Sequence, residues 1–154
     1  NPKSHAHVFR PLVNVAYISP ISWECHVPAP LSIVIPTLNA ARDLPGTFEA
    51  LMEGLAAGLI REVIVSDGGS TDETLAIAEA AGAHVISGSP GRGGQLRRGA
   101  EAGKGAWVLL LHADTHPAEG WAEAAQAHMA DHADKAGYFR LGKPAVSALG
   151  LAVW

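Results

Sequence analysis

The chain has 154 residues, 48% of them apolar and 17% charged, with a formal net charge of −4. That profile suits one soluble globular domain and excludes a disordered chain. With no long basic block, it also argues against a broad phosphate-binding surface, so nucleic acid is not an expected partner.

Cys25 is the single cysteine, so no internal disulfide can form; a reducing, cytoplasmic setting is expected. Residues 1–30 hold prolines and no helical period, and read as an irregular N-terminal extension. The apolar patch Leu12–Ile21 follows Lys3 and Arg10, but Asn14 and Pro20 interrupt it as a signal segment. The domain is expected to span 31–154.

Leu31–Ile35 is a β-branched run stopped by Pro36, as in a buried strand. Asp43 can cap a helix whose stripe is Leu44, Phe48, Leu51, Leu55 and Leu59. Glu62–Val65 is a second strand. Ser70 and Glu73 have capping-box spacing ahead of a helix from about Thr71 to Ala81, which Gly82 ends. His84–Ser87 is a third strand. The glycine-rich stretch Gly88–Gly94 leads into a helix over Gln95–Ala102, and Trp107–Leu111 is a fourth, apolar strand. Pro117 opens a helix over Ala118–Ala130. Tyr138–Leu141 reads as one more strand and Ala145–Trp154 as the start of a helix. This alternation predicts an α/β domain with an open, mostly parallel sheet and helices on both faces.

Ligands of such sheets bind beyond the carboxyl ends of the strands. Those ends carry Thr37 and Asn39, Asp67 and Gly68, Arg92 and Gln95 in the glycine loop, and His112 and Asp114. A dinucleotide-binding domain needs glycines directly after the first strand, and none stand there. A Walker A motif is absent. A nucleotidyltransferase would carry a basic glycine loop at the same absent position. His128 and His132 have zinc-like spacing but no third ligand, and read as a solvated helix face. His5 and His7 are a stray pair in the leader. Trp107 and Trp121 read as core, and Arg98 as a surface charge.

The segments SIVIPTLNAARDL, EVIVSDGGSTDET, GRGGQLRRGA and LLLHADT occur in that order. Together they resemble the nucleotide-sugar-binding half of the family-two, GT-A-fold glycosyltransferases. They are similar to the small bacterial branch described as selenodomain-associated transferases, which carries a His-Ala-Asp-Thr form of the metal motif. The resemblance covers Leu31 to about Leu141. It implies metal-assisted transfer of a sugar from a nucleotide-diphosphate donor to an acceptor, with lipid acceptors at a membrane surface left open. It implies nucleotide contacts from Thr37, Asn39, Asp67, Gly68, Arg92, Gln95 and Arg97. Asp67 would accept from the base or ribose. Asp114, with His112, would sit at a Mg²⁺ or Mn²⁺ site. The family often has Asn where Arg97 stands, and two acids where His112 and Asp114 stand. No residue reads as the general base, since Asp131 and Asp134 come too soon after the metal motif. The chain is therefore expected to stop short of the acceptor-binding portion. Its apolar end, Ala145–Trp154, would then pack on that portion or on a second copy. The alternative is a non-catalytic nucleotide-binding or assembly module of the same fold.

Overall fold

The computed structural model describes residues 28–140 and the pair Ala152–Val153. Nearly all of the 1–30 extension, with His5, His7 and Cys25, lies outside the described residues.

The element order is β1 (Leu31–Thr37), α1 (Leu44–Ala56), β2 (Ile60–Asp67), α2 (Thr74–Ala80), β3 (His84–Ser87), α3 (Arg92–Ala102), β4 (Trp107–Leu110), α4 (Trp121–Asp131) and β5 (Ala152–Val153). The sheet order is β3-β2-β1-β4-β5. The first four strands are parallel, and β5 lies antiparallel against β4. The α/β open sheet read from the sequence is therefore present.

β1 is central and dry, with Ile33, Val34 and Ile35 all at 0% exposure. Its alternating side chains serve two layers. Ile33 and Ile35 join a core with Leu44, Leu51 and Trp121 from α1 and α4. Val34 points to the other face, where α3 packs on β1 and β2. Helices thus cover both faces, as right-handed crossovers on either side of β1 require.

Two close approaches hold the layers. A Cβ on Gly54 would sit 2.4 Å from the Trp121 ring, so only glycine lets α4's tryptophan lie flat on α1. Glu53 then receives the Gly120 and Ala122 N–H groups, each at 3.0 Å. A carboxylate from one helix thereby satisfies the free N–H groups that open another, where the helix dipole favours negative charge. On the opposite face a Cβ on Gly99 would lie 2.2 Å from Val34 Cγ1.

Several local expectations are replaced. Leu55, in the last turn of α1, is 54% exposed although it shares a helical face with the buried Leu44 and Leu51. Asp43 precedes α1 but makes no side-chain cap. α2 starts at Thr74 and not Thr71: Ser70 Oγ accepts from the Asn39 N–H and makes no capping box, while Asp72 Oδ1 accepts from the Thr74 N–H. α3 starts three residues early, inside the glycine stretch, and α4 starts after the left-handed Gly120. Tyr138–Arg140 belongs to no strand. Of the helix read over 145–154, Ala152 and Val153 form an edge strand, since the free edge of β4 supplies backbone partners at Leu109 and Leu110. Leu141 and the rest of that segment lie outside the described residues. No described helix is long and apolar enough to cross a membrane.

Gly99→Ala should force Val34 out of a packed central strand. The expected cost is about 1–3 kcal/mol, read as a fall in thermal midpoint of roughly 2–4 °C per kcal/mol. An unchanged midpoint would contradict the close packing of α3 on β1.

Candidate functional site

The tips of β1 and β2 are tied by one carboxylate. Thr37 and Asp67 are register partners. Thr37 Oγ1 donates to Asp67 Oδ1 at 2.9 Å, and the Ser70 hydroxyl donates to the same oxygen. Oδ2 accepts from the Gly69 and Ser70 N–H groups, each at 2.8 Å. An ionised carboxylate offers about four lone-pair positions, and here all are used inside the protein. Asp67 is 1% exposed. Burial pushes its pKa up, but the Ser70 hydroxyl and N–H, the Thr37 hydroxyl and the Gly69 N–H outweigh it, so the net direction is down. Asp67, read from the sequence as an acceptor for a base or ribose, is in this structure occupied by four donors of the protein itself.

The next residues sew the β1–α1 loop to the β2–α2 loop. Asn39 adopts φ 53°, a left-handed conformation that asparagine tolerates better than most residues. Its Oδ1 accepts from the Thr71 N–H at 2.8 Å, while its own N–H donates to Ser70 Oγ at 2.8 Å. The Ala40 N–H donates to Thr74 Oγ1, and the Ala41 N–H to Asp72 Oδ2. The Asn39 amide oxygen is thus committed to the loop. Sequence reasoning passed over Asp72 and Thr74; the signal was the run of hydroxyls and acids, read there as a capping box alone.

Gln95, buried in the first turns of α3, is a second tie. Its Nε2 donates to the Thr37 carbonyl at 2.7 Å and the Ser66 carbonyl at 2.9 Å. Its Oε1 accepts from the Gly91 N–H at 3.2 Å. A Cβ on Gly68 would lie 3.1 Å from that amide, so glycine there makes room for the tie. Arg98 corrects the surface-charge reading. It is half-buried and donates to the Asp67 and Ser89 carbonyls, fastening the β3–α3 loop to β2.

Above these ties lies a crevice of about 160 Å³ lined by Pro36, Thr37, Leu38, Arg92, Gln95 and His112. It opens between β1 and β4, where the strand order reverses. That switch point is where the two neighbouring crossovers diverge and leave a gap. Arg92 Nη2 lies 3.0 Å from His112 Nδ1 across it. The segment after β4 is a turn and not extended chain, closed by the Thr115 N–H on the His112 carbonyl at 3.1 Å. The period-two argument for His112 and Asp114 is therefore replaced by turn geometry. Thr47 Oγ1 donates to the Ala113 carbonyl at 2.7 Å and pins that turn to α1. Asp114, in the same turn, is exposed and is not among the residues that line the crevice.

Thr37, Arg92, Gln95 and His112 thus meet at one crevice, with Gly68 and Asp67 supporting it. Arg97 does not join them. It pairs with Glu101 at 2.8 Å, with the two side chains 80% and 62% exposed, one helical turn apart on the outer face of α3. Trp121 is core, as read, and Trp107 is half-buried against it. His128 is not simply solvated. Its Nε2 lies 3.1 Å from the Lys135 carbonyl, and its ring packs against Trp107 and His132. Among the described residues, no group of three or more His, Cys, Asp or Glu could enclose a metal. The exposed carboxylate of Asp114, two residues after the crevice-lining His112, is the kind of hard oxygen ligand that Mg²⁺ or Mn²⁺ takes.

Asp67→Asn sets an NH₂ group against donors and should cost about 1–3 kcal/mol. Because the folded Asp67 titrates below its unfolded value of about 3.9, its contribution is complete above that value and fades as pH falls through the folded one. Chemical denaturation from pH 7 to 2 should show this acid loss in the native chain and less of it in Asp67→Asn. Identical pH profiles would refute the assignment.

Residues 32–145 match the family model for glycosyl transferase family 2. The chain is similar to a PGL/p-HBAD biosynthesis glycosyltransferase of Mycobacterium bovis, 36% identical over 90 residues, covering 54% of this chain and 34% of that protein. It is also similar to the glucosyl-3-phosphoglycerate synthase of Mycolicibacterium smegmatis, 37% identical over 93 residues, covering 54% of this chain and 30% of that protein. The chain thus spans about a third of the length of these relatives. The crystal structure of glucosyl-3-phosphoglycerate synthase from Mycobacterium tuberculosis with Mn²⁺, UDP and glucosyl-3-phosphoglycerate superposes with a TM-score of 0.57. It is 30% identical, over 66% of this chain and 39% of that one. Staphylococcus aureus TarS superposes with a TM-score of 0.64 over 77% of this chain and 37% of that one, at 19% identity, and speaks for the fold alone. With the matched segment running through every element that builds the crevice, the chain belongs to glycosyl transferase family 2.

Proposed function

We propose that this chain is the donor-binding half of a glycosyltransferase that moves a sugar from a nucleoside-diphosphate sugar to an acceptor hydroxyl, assisted by Mg²⁺ or Mn²⁺. The observation that carries the reading is the crevice at the β1–β4 switch point, with the Arg92 guanidinium on one wall and His112 on the other, two residues before the exposed Asp114. The mycobacterial synthase crystallised with UDP and either Mn²⁺ or Mg²⁺ supports a uridine donor.

The roles follow from chemistry at each wall. Thr37 and Leu38 form the β1 wall against the nucleoside, and Asp67 holds Thr37 in place from below. Arg92 stands in the first turn of α3, where free backbone N–H groups already favour an anion and a guanidinium adds fixed charge. Gly93 has open space where a side chain would stand, so phosphate can approach the backbone. Asp114 would hold the divalent cation, and His112 would contact phosphate. A cation held there would offset the charge that develops on the leaving diphosphate. The sequence His112-Ala113-Asp114-Thr115 supports placement in the selenodomain-associated branch, and the lone cysteine supports a cytoplasmic setting.

Calorimetry against UDP, with and without Mn²⁺, tests the reading. Metal should tighten binding in the native chain, and Asp114→Ala should lose that gain by at least about tenfold, or about 1.4 kcal/mol. Equal affinity with and without metal in the native chain would end the proposal.

A further inference from the structure

The contact between Arg92 and His112 has a chemical consequence for the cation site. A guanidinium carries five N–H donors and no acceptor, and it does not lose its proton in proteins. At 3.0 Å from Arg92 Nη2, His112 Nδ1 can only accept. A neutral imidazole has one acceptor nitrogen and one N–H. With the acceptor taken by Arg92, the proton must sit on Nε2. Metal ligation needs a free lone pair on a ring nitrogen, and here neither nitrogen offers one.

We propose that Arg92 is a positioning residue that sets His112 as an Nε2–H donor, so that His112 offers a hydrogen bond to the bound anion and does not ligate the metal. This rests on the donor-site reading above. Among the described residues it leaves Asp114 as the metal-binding group, with oxygen ligands from phosphate and water around it. Such a shell suits Mg²⁺ and Mn²⁺ and removes the imidazole that zinc, nickel or copper would prefer. The arrangement also links the two walls of the crevice. Arg92 comes from the first turn of α3 and His112 from the end of β4, so placement of one side chain places the other. Each lines the crevice, and each is exposed enough to reach a ligand in it.

Ring ¹⁵N NMR of the free chain at a pH where imidazole is neutral tests the tautomer without any ligand, with His112→Gln assigning the signals. The native chain should show a single Nε2–H species whose Nδ1 signal is displaced by an accepted hydrogen bond, and Arg92→Met should lose that displacement. An Nδ1–H ring in the native chain, or a spectrum unchanged by Arg92→Met, would overturn the proposal. Pulsed EPR of Mn²⁺ with UDP on the native chain tests the ligand set. No imidazole nitrogen coupling should appear; a coupling present in the native chain and absent in His112→Gln would also overturn it. If Mn²⁺ and UDP fail to bind at all, the donor-site reading falls, while the ring spectra still decide whether Arg92 sets His112.

Discussion

The crevice depends on a single buried carboxylate. Asp67 gathers four donors from two strand tips and the turn that follows, and so converts a register pairing into a rigid edge. Without it, Thr37 and Ser70 would each need another partner, and the turn after β2 would have no fixed shape. A desolvated carboxylate is costly unless every lone pair is met. The lowered pKa means that in this site the hydrogen bonds outweigh the desolvation. The charge that looked like a ligand contact is the fastener beneath the ligand's floor.

Topology supplies the remainder. Crossovers on either side of β1 send α1 and α3 to opposite faces, which opens a gap between the ends of β1 and β4. The gap would be shapeless if α3 could slide. Gly99 against Val34 sets its depth, and the Gln95 amide sets its reach by bonding the Thr37 and Ser66 carbonyls. Arg92 lies three residues before Gln95 on the same helix, so the helix that locks the strand tips also delivers the cation to the crevice. The opposite wall is set in the same way. Thr47 on α1 holds the Ala113 carbonyl, and α1 is in turn bound to α4 through Glu53 and Trp121.

Polar residues near the crevice therefore divide by burial. Thr37, Asp67, Thr74 and Gln95 are buried and spend their hydrogen-bonding capacity on one another and on backbone. Arg92, His112 and Asp114 are exposed and keep capacity for a ligand. Residue type alone does not separate these groups. Asp67 at the tip of β2 and Asp114 in the turn after β4 are the same side chain, one saturated and one exposed. Arg97 and Arg98 are adjacent, yet one pairs with Glu101 in solvent while the other ties a loop to β2.

What could be read from the chain alone was what period and composition encode. Short apolar runs marked four strands, most clearly β1, which is dry on both faces and so apolar through Leu31–Ile35 but for Ser32. Their alternation with helices implied a parallel sheet, and the polar residues clustered at strand ends located the edge that carries the site. Helix starts were read less well, since the Ser70 oxygen accepts from the Asn39 N–H of the other loop and does not cap α2, a contact that spans two loops. The strand at Ala152–Val153 depended on the free edge of β4, which is not a local property. The division of labour at the crevice also lay outside the sequence. Whether a carboxylate is saturated, and which ring nitrogen of a histidine is free, depends in part on donors brought from far along the chain, Thr37 to Asp67 and Arg92 to His112. Only the folded chain sets those distances.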